Sequence, residues 1–494
     1  MRISDLYKCG CRVKIDPKLD TEKELRIEKD MAKTDENSIF FYYRGAKEGS
    51  KSPTLNFQGK NPYAIVCEST TDNCIDGIAL ITVQNVRKCM SICRSIENNM
   101  DYSKLKVIGI TGTNGKTSTA EMLFQILRRA GKKVGFIGTG LIKIDNNILT
   151  DSYYSMTTPD PDLLYPTLNK MSVQGCEYVV MEVSSHAIAL SKVAPIQFEC
   201  CIFTNLSKEH TDFHKSMDEY YKTKLSLFEQ TKIGIFNLDD EYSKRAYFEA
   251  KCKKYSIGVL ERADGYIIDF QSNGLVGSSY FYKDENLIFK TNLMIGGIFN
   301  VYNALMATKC ALLLGIPACI IKQALENITN ISGRFETIRD DVTVVIDYAH
   351  TPLALENLLQ SLNSYKTESQ NVHLVFGCGG NRDTEKREIM GKLGDMYADR
   401  IILTEDNSRN ENTREIITAI KRGIKNESKC TVIENRAEAI RHAILTASHS
   451  DIIAIVGKGH EKYIIDCDGI HPFDEKEIIK ATLSERNKNN AYKA

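Results

Sequence analysis

The stretch KLKVIGITGTNGKTSTAEMLFQILRRAGKKVGFIGTG, residues 104–140, joins an apolar strand to a glycine-rich turn, a helical segment and a second apolar strand. The first strand covers residues 107–110, and the second lies in VGFIGT. Between them, apolar residues recur at helical spacing: Met122, Leu123, Ile126 and Leu127. A strand, a helix and a strand in this order form a βαβ unit, which requires a parallel sheet with helices on its faces. The segment therefore predicts an α/β fold.

The apolar runs on either side of this unit divide the 494 residues into three α/β domains. Short runs separated by polar turns predict a small N-terminal domain over residues 1–104. The runs YVVMEVSS, CCIFTNL and IGIFNLDD extend the parallel sheet of a P-loop-type central domain over residues 105–330. Over residues 331–494, further apolar runs alternate with helical stretches and predict a Rossmann-like, doubly wound C-terminal sheet. The polar tail SERNKNNAYKA is predicted to be disordered.

The composition of the chain excludes several classes of protein. It has 64 basic and 64 acidic residues, so binding to nucleic acid or to a membrane surface is not predicted. No apolar stretch reaches the length of a membrane span, and the N-terminus has no signal-peptide pattern. The 15 cysteines are scattered without regular spacing, as is typical of reduced thiols. We therefore expect a cytoplasmic protein.

The glycine-rich turn GTNGKTS, residues 112–118, has the residue types of a phosphate-binding loop. Glycines allow backbone N–H groups to face a phosphate at the start of a helix. Lys116 would neutralise the β- and γ-phosphates, and Thr117 would offer its hydroxyl to Mg²⁺. The common G-x-x-x-x-G-K-[ST] spacing places a glycine where this chain has Ile110, so the loop is a near match. A purely structural turn is the alternative.

Carboxylates and imidazoles follow two of the predicted central strands. Glu182 ends the strand YVVME, where a carboxylate can reach a cation bound to phosphate. The later segment NLSKEHTDFHKSMDEYYKTKLSLF carries several charged or titratable residues: Glu209, His210, Asp212, His214 and Lys224. Mg²⁺ prefers oxygen ligands to imidazole, so His210 alone does not indicate a magnesium site. From spacing alone, a charged surface helix is the preferred interpretation of most of these residues.

A series of longer motifs occurs in order between residues 109 and 461: GITGTNGKTSTA, TTPDP, MEVSSHAIAL, FTNLSKEHTDFH, YKTKLSLF, GIFNVYNAL, GRFE, DYAHTP, GCGGNRDTEKR, DNSR and GKGHE. This series resembles the Mur ligases, and within that family the ligases that add the third residue of the peptidoglycan stem. The number, length and order of the motifs make a coincidence implausible. The resemblance extends over the predicted central and C-terminal domains.

The resemblance implies an ATP-dependent amide ligase. In such a ligase a substrate carboxylate attacks the γ-phosphate of ATP to give an acyl phosphate, and an amine then displaces phosphate. The protein contributes positioning and charge stabilisation. The implied reaction joins meso-diaminopimelate to the D-glutamate carboxylate of UDP-N-acetylmuramoyl-L-Ala-D-Glu, a step of peptidoglycan precursor synthesis. The implied partners are a nucleotide-sugar peptide and an amino acid, and the implied state is a monomer.

The same resemblance implies roles for residues at matching positions. ATP would be bound by the loop and by residues that close over it: Gly112, Thr113, Asn114, Gly115, Lys116, Thr117, Ser118, Asn300, Arg334, Asp347 and His350. The catalytic residues would be Lys116, Glu182, His210 and Lys224. Mg²⁺ would be held by Thr117, Glu182, His210 and a carbamylated Lys224. Carbamylation turns the Lys224 amine into an anionic oxygen ligand, which suits Mg²⁺.

Substrate contacts are implied in the same way. The nucleotide-sugar peptide would contact Thr157, Thr158, Ser184 and Lys192. The amino acid would contact residues of three C-terminal motifs: Arg382, Asp406, Asn407, Ser408, Arg409, Gly457 and Glu461. Arg409 would pair with the distal carboxylate of diaminopimelate, which L-lysine lacks, and Glu461 with the distal ammonium. A solvated loop is the alternative explanation of TEDNSRNEN, residues 404–412, because Asp, Asn and Ser are turn formers.

The first domain departs from the family pattern. Asp30, Met31 and Ala32 stand where the family has Asp-Ser-Arg, no Asp-Gly-His follows, and Lys192 replaces an arginine. In the third domain Ser408 replaces the proline of the D-N-P-R motif. Two rivals stay open. One is a related ligase that joins L-lysine or another amino acid to a different acyl acceptor in a side pathway. The other is a nucleotide-binding switch, which has no need for an amino-acid pocket.

Overall fold

The computed structural model describes residues 1–9, 13–43, 55–68, 77–150, 155–209, 213–285 and 287–491. Within these ranges the strands form an N-terminal sheet, a large central sheet, a C-terminal sheet and a separate hairpin. The predicted α/β fold is confirmed. Across the same ranges, none of the helices combines the length and the apolar character that a membrane crossing requires.

The N-terminal unit is a small, mostly parallel sheet with a helix after its last strand. Its elements are β1 Val13–Ile15, β2 Arg26–Glu28, β3 Ser38–Phe41, β4 Ala64–Cys67, β5 Ala79–Val83 and α1 Val86–Glu97. The strand order is β1-β5-β4-β3-β2, and β1 pairs antiparallel. The Asn85 side chain accepts a hydrogen bond from the Lys88 N–H at 2.8 Å and so starts α1. Arg94 of α1 pairs with Asp162 of the central unit at 2.6 Å, which joins the two units.

The central unit begins with the predicted βαβ segment. Its elements are β6 Lys106–Thr111, α2 Lys116–Arg129, β7 Val134–Gly138, β8 Leu141–Ile144, β9 Asn147–Ile148, α3 Pro161–Val173, β10 Tyr178–Glu182, α4 Ser185–Ala189, β11 Phe198–Phe203, α5 Met217–Ser226, β12 Thr231–Asn237, α6 Glu241–Glu249, β13 Lys253–Gly258, β14 Gly265–Ser272, β15 Ser278–Asp284, β16 Leu287–Leu293, α7 Ile298–Leu313 and α8 Ala318–Asn327. Helix α2 packs between the sheet and α7, burying the apolar residues that predicted it.

The predicted parallel sheet occupies only the middle of the central sheet. In the described residues the strand order is β16-β15-β14-β13-β12-β11-β6-β10-β7-β8-β9. Neighbours from β13 to β7 pair in parallel, as predicted. Strands β14 to β16 at one edge and β7 to β9 at the other pair antiparallel, which the sequence patterns do not indicate. Side chains of β15 alternate between buried and half-buried, so this edge lacks the long apolar runs of doubly covered strands.

The C-terminal unit is a second doubly wound sheet. Its elements are β17 Glu336–Arg339, β18 Thr343–Asp347, α9 Pro352–Tyr365, β19 Val372–Phe376, α10 Glu385–Tyr397, β20 Arg400–Leu403, α11 Thr413–Lys421, β21 Cys430–Val432, α12 Arg436–Thr446, β22 Ile452–Val456, β23 Tyr463–Asp466, β24 Gly469–Pro472 and α13 Glu475–Ala491. The strand order is β17-β18-β22-β19-β20-β21, with β17 antiparallel, and β23 with β24 forms the separate hairpin. Short 3₁₀ helices lie at Ile3–Cys9, Met31–Lys33, Leu227–Gln230, Gly274–Val276 and Glu427–Lys429.

The C-terminal tail is helical where the sequence predicts disorder. Helix α13 includes residues 484–491, which are most of the polar stretch SERNKNNAYKA. Arg486 is buried there. Its Nε donates to Asp341 and its Nη1 donates to the Ile444 carbonyl, both at 2.6 Å. Apolar residues earlier in α13 pack on α12. The prediction of disorder is therefore wrong for residues 484–491, because packing outweighs their polar composition.

The carboxyl ends of the parallel strands in the central and C-terminal units face a common cleft. Arg334, just before β17, donates from Nη2 to Thr117 Oγ1 at 3.0 Å. His350, just after β18, contacts Glu209 Oε1 at 3.0 Å through Nε2. Open α/β sheets bind ligands beyond the carboxyl ends of their strands, so two such sites meet in this cleft.

Candidate active site

The phosphate loop closes the carboxyl end of β6 and starts α2. Gly112 has a φ of 142° and Gly115 a φ of 82°, conformations that favour glycine. A side chain at Gly112 would collide with the Thr204 hydroxyl, and one at Gly115 with the Asn303 amide. Gly115 is the N-cap residue of α2, and the first N–H groups of a helix have no intrahelical partner. The loop therefore has the backbone shape that binds a phosphate group.

The Lys116 side chain folds back over this loop. Its Nζ donates to the Gly112 carbonyl at 2.9 Å and to the Thr113 carbonyl at 2.8 Å. Burial holds the pKa of Lys116 below its ordinary value, and the nearby carboxylates Glu182 and Glu209 act in the opposite direction. A cation held against the loop carbonyls is well placed to meet the negative charge of a bound phosphate chain.

Two of the predicted loop residues hold the shape of the loop. The Asn114 N–H donates to Asn205 Oδ1 at 2.9 Å, and the Asn114 carbonyl accepts from Thr204 Oγ1 at 2.7 Å. The Thr113 hydroxyl contacts the Tyr220 hydroxyl at 3.2 Å, which connects the loop to α5. These contacts tie the loop to the segments after β11 and to α5. The loop is therefore preorganised by its neighbours.

Arg334 reaches the phosphate loop from the C-terminal unit. Besides its hydrogen bond to Thr117, its guanidinium group lies 4.3 Å from the centre of the Tyr348 ring. Arg334 Nε and Asn114 Nδ2 are buried without a hydrogen-bond partner among the described residues. Buried donors without acceptors are rare in folded proteins. Their position beside a glycine-rich loop fits a ligand that supplies several oxygen acceptors, such as a triphosphate.

Two further residues expected to close over a nucleotide lie at the same cleft. His350 Nδ1 contacts the Tyr348 carbonyl at 2.8 Å, and this orients the opposite ring nitrogen toward Glu209. Asp347 ends β18, and its Oδ2 accepts from the Phe335 N–H at 2.7 Å. Burial raises the pKa of Asp347 above its ordinary value. The structure thus brings Asp347 and His350 to the side of the cleft opposite the loop.

The predicted residues Asn300 and Ser118 are buried inside the central unit. Asn300 Nδ2 donates to the Gly296 carbonyl at 2.8 Å and so supports the start of α7. Asn303, one turn further along α7, accepts from Thr119 Oγ1 at 3.2 Å and is the residue that lies against the loop glycine. Of these two asparagines, Asn303 is therefore the one that lies against Gly115 of the loop, and the sequence analysis did not single it out.

Glu182 is fully buried at the end of β10 and is the centre of a hydrogen-bonded group. Its carboxylate accepts from the Thr139 N–H at 3.0 Å and from the Thr139 hydroxyl at 3.2 Å. That hydroxyl contacts Thr157 Oγ1 at 3.0 Å. Thr158 Oγ1 donates to the Glu182 carbonyl at 3.0 Å and accepts from the Ser184 N–H at 3.0 Å. The structure therefore brings three predicted substrate residues to the predicted metal ligand.

Lys224 is buried, so the interpretation of its helix as a charged surface is wrong for this residue. Its Nζ donates to the Gly112 carbonyl at 3.0 Å and to Thr111 Oγ1 at 3.4 Å, 4.7 Å from the centre of the Tyr220 ring. Burial, and then the Lys116 cation, hold the pKa of Lys224 well below its ordinary value. A lowered pKa shifts Lys224 toward its neutral amine, which is the form that adds to carbon dioxide.

A magnesium ion bound to phosphate oxygens fits the donors of this cleft. The Glu182 carboxylate and the Thr117 hydroxyl are oxygen donors, and Mg²⁺ takes one or two protein carboxylates together with phosphates and water. The predicted ligand His210 lies outside the described residues. Among the residues that are described, no three His, Cys, Asp or Glu side chains form a cluster that could hold an ion. The phosphates of a ligand would therefore supply much of the coordination.

Loops after β18, β20 and β22 bring together a second group of charged side chains. Asn407 Nδ2 donates to Glu461 Oε2 at 2.8 Å, and the Tyr348 hydroxyl donates to Glu461 Oε1 at 3.1 Å. Asp406 accepts from the Asn407 N–H at 2.5 Å. Burial alone would raise the pKa of Asp406, but nearby cations, chiefly Lys458, hold it below its ordinary value. Asp406 and Asn407 are buried, so the solvated-loop interpretation is wrong for both.

Arg409 completes this pocket in a strained conformation. Its φ is 53°, a left-handed value that is uncommon outside glycine. Its Nη1 donates to the Gly380 carbonyl at 2.8 Å and to the Asn407 carbonyl at 3.2 Å. Burial, and then the Arg382 cation, lower the pKa of Arg409. The guanidinium groups of Arg409 and of the neighbouring Arg382 are suited to an anionic ligand, and a carboxylate is their common partner.

Gly457 and Ser408 shape the pocket through their backbone. Gly457 has a φ of 109°, and a side chain there would approach Asp406 Oδ2 to 2.6 Å. Ser408 is buried, and its carbonyl accepts from the Glu411 N–H at 3.0 Å, which closes the turn that contains Arg409. A serine therefore accommodates this turn at the position where the D-N-P-R motif has proline.

Lys192 lies beside a cavity between the N-terminal and central units. Its Nζ pairs with Asp160 Oδ1 at 2.8 Å. The cavity has a volume of about 320 Å³ and is lined by Lys29, Tyr43, Arg87, Met90, Asp160, Pro161, Leu190 and Lys192. The Arg87 guanidinium lies 4.2 Å from the centre of the Tyr43 ring. Cations and an aromatic ring at one cavity are suited to an anionic or planar group.

Asp30 has a structural role in the segment that departs from the family pattern. Its Oδ1 accepts from the Ala32 N–H at 3.0 Å and caps the 3₁₀ helix Met31–Lys33. Arg26 also donates to Asp35 at 2.8 Å nearby, so the charges of this segment are used within the N-terminal unit. The segment therefore keeps its local fold without the side chains of the family triplet.

Several residues at the two sites are not indicated by the sequence patterns. They are Thr139, Asn303, Tyr348 and Lys458. Tyr348 and Lys458 lie inside the motifs DYAHTP and GKGHE, so the motifs contain the signal although no chemical role follows from residue type alone. Asn303 likewise lies inside the motif GIFNVYNAL, whereas Thr139 acts through a position that only the packing of β7 reveals.

Comparison with known proteins finds two family models that cover the phosphate loop and the charged pocket. The family model of the Mur ligase middle domain matches residues 110–311. The family model described as Mur ligase, glutamate ligase domain, matches residues 333–459. The fold and the site define a ligase that couples a phosphate-loop domain to a second α/β domain.

Relatives over most of the chain identify the family. A UDP-N-acetylmuramoyl-L-alanyl-D-glutamate--2,6-diaminopimelate ligase of Caldanaerobacter subterraneus subsp. tengcongensis is 42% identical, covering 83% of this chain and 85% of its own. A ligase of the same name from Clostridioides difficile is 38% identical and covers 93% and 95%. The chain belongs to the Mur ligase family, whose members are ATP-dependent amide ligases.

Solved structures share the fold of this chain. A structure of a UDP-N-acetylmuramoyl-L-alanyl-D-glutamate--2,6-diaminopimelate ligase has a TM-score of 0.66 at 24% identity and covers 99% of both chains. A MurF ligase of Thermotoga maritima in complex with ADP has a TM-score of 0.60 at 15% identity, covering 94% of this chain and 99% of its own. At these identities the likeness concerns the fold.

Proposed function

We propose that this chain joins meso-diaminopimelate to the D-glutamate carboxylate of UDP-N-acetylmuramoyl-L-Ala-D-Glu and converts ATP to ADP and phosphate. In the first step a carboxylate oxygen of the acceptor attacks the γ-phosphorus, and ADP leaves. In the second step an amino nitrogen attacks the acyl carbon, phosphate leaves, and the nitrogen loses a proton as the amide forms. The names of the relatives from Caldanaerobacter subterraneus and Clostridioides difficile support this choice of substrates.

The amino-acid pocket is the observation that carries the proposal. The distal end of diaminopimelate has an ammonium group and a carboxylate on one carbon, so it needs an anionic and a cationic partner. Glu461, held by Asn407 and Tyr348, is suited to the ammonium. Arg409, beside Arg382, is suited to the carboxylate. We assign Asp406, Ser408 and Gly457 to the shape and charge of the same pocket.

L-lysine is the competing amino acid, and the charges of the pocket disfavour it. Its side chain ends in an ammonium group alone. Binding it would leave Arg409 and Arg382 next to a further cation with no carboxylate between them. Bringing like charges together in a half-buried site is unfavourable, and diaminopimelate avoids this cost because it supplies the carboxylate.

We assign ATP to residues 112–118 of the phosphate loop and to Asn300, Arg334, Asp347 and His350. Lys116 would lie against the β- and γ-phosphates, and the unpartnered nitrogen atoms of Asn114 and Arg334 would donate to phosphate oxygens. We assign Mg²⁺ to Thr117, Glu182 and His210. When bound, this ion neutralises phosphate charge and fixes the geometry of the phosphate chain.

We infer that Lys224 is carbamylated when the enzyme is active. The amine nitrogen would add to the carbon of CO₂ and release one proton, which gives an N-carboxylate. The buried position of Lys224 and its low pKa support this reaction, because only the neutral amine is nucleophilic. The product would place an anionic oxygen beside Gly112, where the unmodified Lys224 nitrogen now donates to the carbonyl. Such an oxygen is the donor type that Mg²⁺ prefers.

The acceptor site is assigned to two neighbouring regions. Thr157, Thr158 and Ser184 lie beside Glu182 and suit the peptide end, whose carboxylate must reach the γ-phosphate. Lys192 lies at the cavity with Arg87 and the other lining residues given above, which suits the nucleotide-sugar end. Phosphates of a nucleotide sugar would find cations there.

A related ligase with a different acyl acceptor is the second candidate. Lys192 is already paired with Asp160, and Asp30 caps a local helix, so two positions of the family pattern have structural partners here. An acceptor with a smaller anionic group would need fewer contacts from Lys192 and Asp30. The amino-acid pocket and the phosphate loop are compatible with either acceptor.

We further propose domain limits of 1–104, 105–330 and 331–494. The pair of Arg94 and Asp162 crosses the first limit, and the contact of Arg334 with Thr117 crosses the second. We propose a cytoplasmic monomer that binds neither nucleic acid nor a membrane. The equal numbers of 64 basic and 64 acidic residues support the absence of a nucleic-acid partner.

The proposal is tested by phosphate release from ATP with purified protein. Reactions contain diaminopimelate or L-lysine, with UDP-N-acetylmuramoyl-L-Ala-D-Glu or one of a panel of other N-acyl-D-glutamates and free carboxylic acids. We expect release only when diaminopimelate and the UDP-muramoyl dipeptide are both present, and a product with the mass of their amide. Turnover with another acceptor alone would favour the second candidate. Release without any acceptor would contradict both.

A further inference from the structure

The Lys458 side chain is fully buried behind the amino-acid pocket, with an exposed fraction of 0%. Its Nζ donates to Asn407 Oδ1 at 3.0 Å and to Glu461 Oε2 at 3.2 Å, and it lies 3.9 Å from Asp406 Oδ1. These are the ionic and hydrogen-bond partners of its ammonium group in the described part of the chain. Each of them is a residue that the proposed function assigns to the amino acid.

A buried ammonium group is expensive to desolvate and is retained in a fold only when it is well paired. Methionine, of similar length, would fill the same space without that cost, so packing alone does not explain a lysine at this position. Lys458 connects side chains from two loops, Asn407 after β20 and Glu461 after β22. Its placement therefore points to a role in the pocket.

We propose that Lys458 is a positioning residue for amino-acid recognition, an inference that rests on the proposed function. It fixes Asn407 and Glu461 in the orientation that receives the distal ammonium group. It acts through these two residues, because it is buried behind them and they line the pocket.

The orientation of the Asn407 amide depends directly on Lys458. Asn407 Oδ1 accepts from two donors, Lys458 Nζ and the Ile465 N–H, both at 3.0 Å. An amide end that meets two donors must be the oxygen. The nitrogen end is therefore turned to Glu461 Oε2, to which it donates at 2.8 Å. Without the ammonium group, one of the two interactions that determine this orientation is lost.

The orientation of Glu461 has the same origin. Its Oε2 accepts from both Lys458 and Asn407, whereas Oε1 accepts from the Tyr348 hydroxyl at 3.1 Å. A carboxylate oxygen has two lone pairs, so Oε2 is saturated and Oε1 keeps one acceptor site. That site is the one left for an ammonium group of the amino acid.

The experiment measures steady-state kinetics of Lys458→Met, with Lys462→Met as the matched control. Lys462 is exposed, four residues away, and pairs with Asp474 at 3.0 Å. We expect the KM for diaminopimelate to rise at least about 30-fold in Lys458→Met, the lower limit for loss of a buried charged partner. The KM values for ATP and for the acceptor should stay within about twofold. An unchanged KM for diaminopimelate overturns the proposal.

A double-mutant cycle with Glu461→Gln separates positioning from general loss of stability. If Lys458 acts through Asn407 and Glu461, adding Lys458→Met to Glu461→Gln raises the KM for the amino acid by a smaller factor than adding it to the wild type. Fully multiplied losses would show an independent action and overturn the proposal. If Lys458→Met does not fold by itself, the double variant is compared with Glu461→Gln, and a further rise as large as the one expected for Lys458→Met overturns the proposal.

The wild-type protein separates this inference from the proposed function. If it does not accept diaminopimelate, the proposed substrate is wrong, and the cycle is run with the amino acid that supports turnover. A rise in the KM for that amino acid in Lys458→Met still supports the positioning role. An unchanged KM for it overturns the role whatever the substrate is.

Discussion

The phosphate loop and the amino-acid pocket are both suited to charged ligands, but they are formed in different ways. The loop is one continuous segment, and its shape comes from glycines at positive φ and from carbonyls that hold Lys116. The pocket is assembled from four loops that are separated in the chain, and its charged groups are held by side chains such as Lys458 and Tyr348. A local site is defined by its backbone, whereas an assembled site is defined by burial and charge.

This difference has a consequence for substitutions. A change in the loop removes a group that contacts the reacting phosphate, so it should reduce turnover with every amino acid. A change in the pocket alters the contacts of one substrate, so its effect should depend on which amino acid is offered. The following substitutions test this contrast, from the largest expected effect to the smallest.

Lys116→Ala should nearly abolish ligation. We expect kcat to fall about 10³- to 10⁵-fold with every amino acid, the range for removing a cation from a transferring phosphoryl group. Phosphate release is measured beside Lys132→Ala, which changes a half-buried lysine that is paired with Glu177 at 2.9 Å. Melting temperatures check the fold, since Lys116 also holds two loop carbonyls. Activity near that of the control would remove the loop from the ATP site.

Lys224→Ala should lower kcat about 10³-fold, because the carbamate would act on the phosphate side of the cleft. Short carboxylic acids should restore part of the rate by supplying the missing oxygen ligand. Lys222→Ala is the control, since Lys222 lies on the same helix, is exposed and pairs with Asp218 at 2.7 Å. In wild type, ¹³C-labelled bicarbonate should give a carbamate signal that Lys224→Ala lacks. Normal activity without rescue contradicts the carbamate.

Arg409→Ala should lower kcat/KM for diaminopimelate by roughly 2–4 kcal/mol, because the distal carboxylate loses its charged partner in a half-buried pocket. The rate with L-lysine, however low, should change little. The ratio of the two rates is therefore the measurement, with Arg414→Ala as the control. Arg414 is exposed on the next helix and pairs with Glu434 at 2.6 Å. Equal losses for both amino acids would make Arg409 a structural residue of its turn.

Tyr348→Phe should have the smallest effect and connects the two sites. It removes the hydroxyl that donates to Glu461 but keeps the ring beneath the Arg334 guanidinium. We expect the KM for the amino acid to rise roughly 2- to 12-fold, which corresponds to the loss of about 0.5–1.5 kcal/mol of binding free energy. The KM for ATP should not change. Tyr397→Phe, which loses a surface hydroxyl bonded to Gln360 at 3.0 Å, is the control. An equal rise in both KM values would show that the substitution acts through a change in the position of the aromatic ring beside Arg334 and not through the lost hydroxyl.

Features formed by one continuous segment could be predicted from the sequence, whereas features that depend on distant segments could not. The βαβ segment and the phosphate loop were predictable, because their signals are a short apolar period and glycines at the start of a helix. The edge strands β14 to β16 were not, since half-buried strands have weak periodicity. The helical tail was missed because a single buried arginine, Arg486, anchors it through distant partners.

The amino-acid sequence by itself determined the order of the three α/β units, the phosphate loop and the resemblance that assigns most site residues. These features depend on residues that are close together in the chain or on motifs that can be read in order. Only the tertiary structure decided that Lys224 is buried, that Asn303 rather than Asn300 faces the loop, and that Lys458 orients Asn407 and Glu461. A side chain becomes buried and paired where segments that are distant in the chain pack together. Burial and pairing then determine its charge, orientation and reactivity, whereas the sequence shows only the residue type.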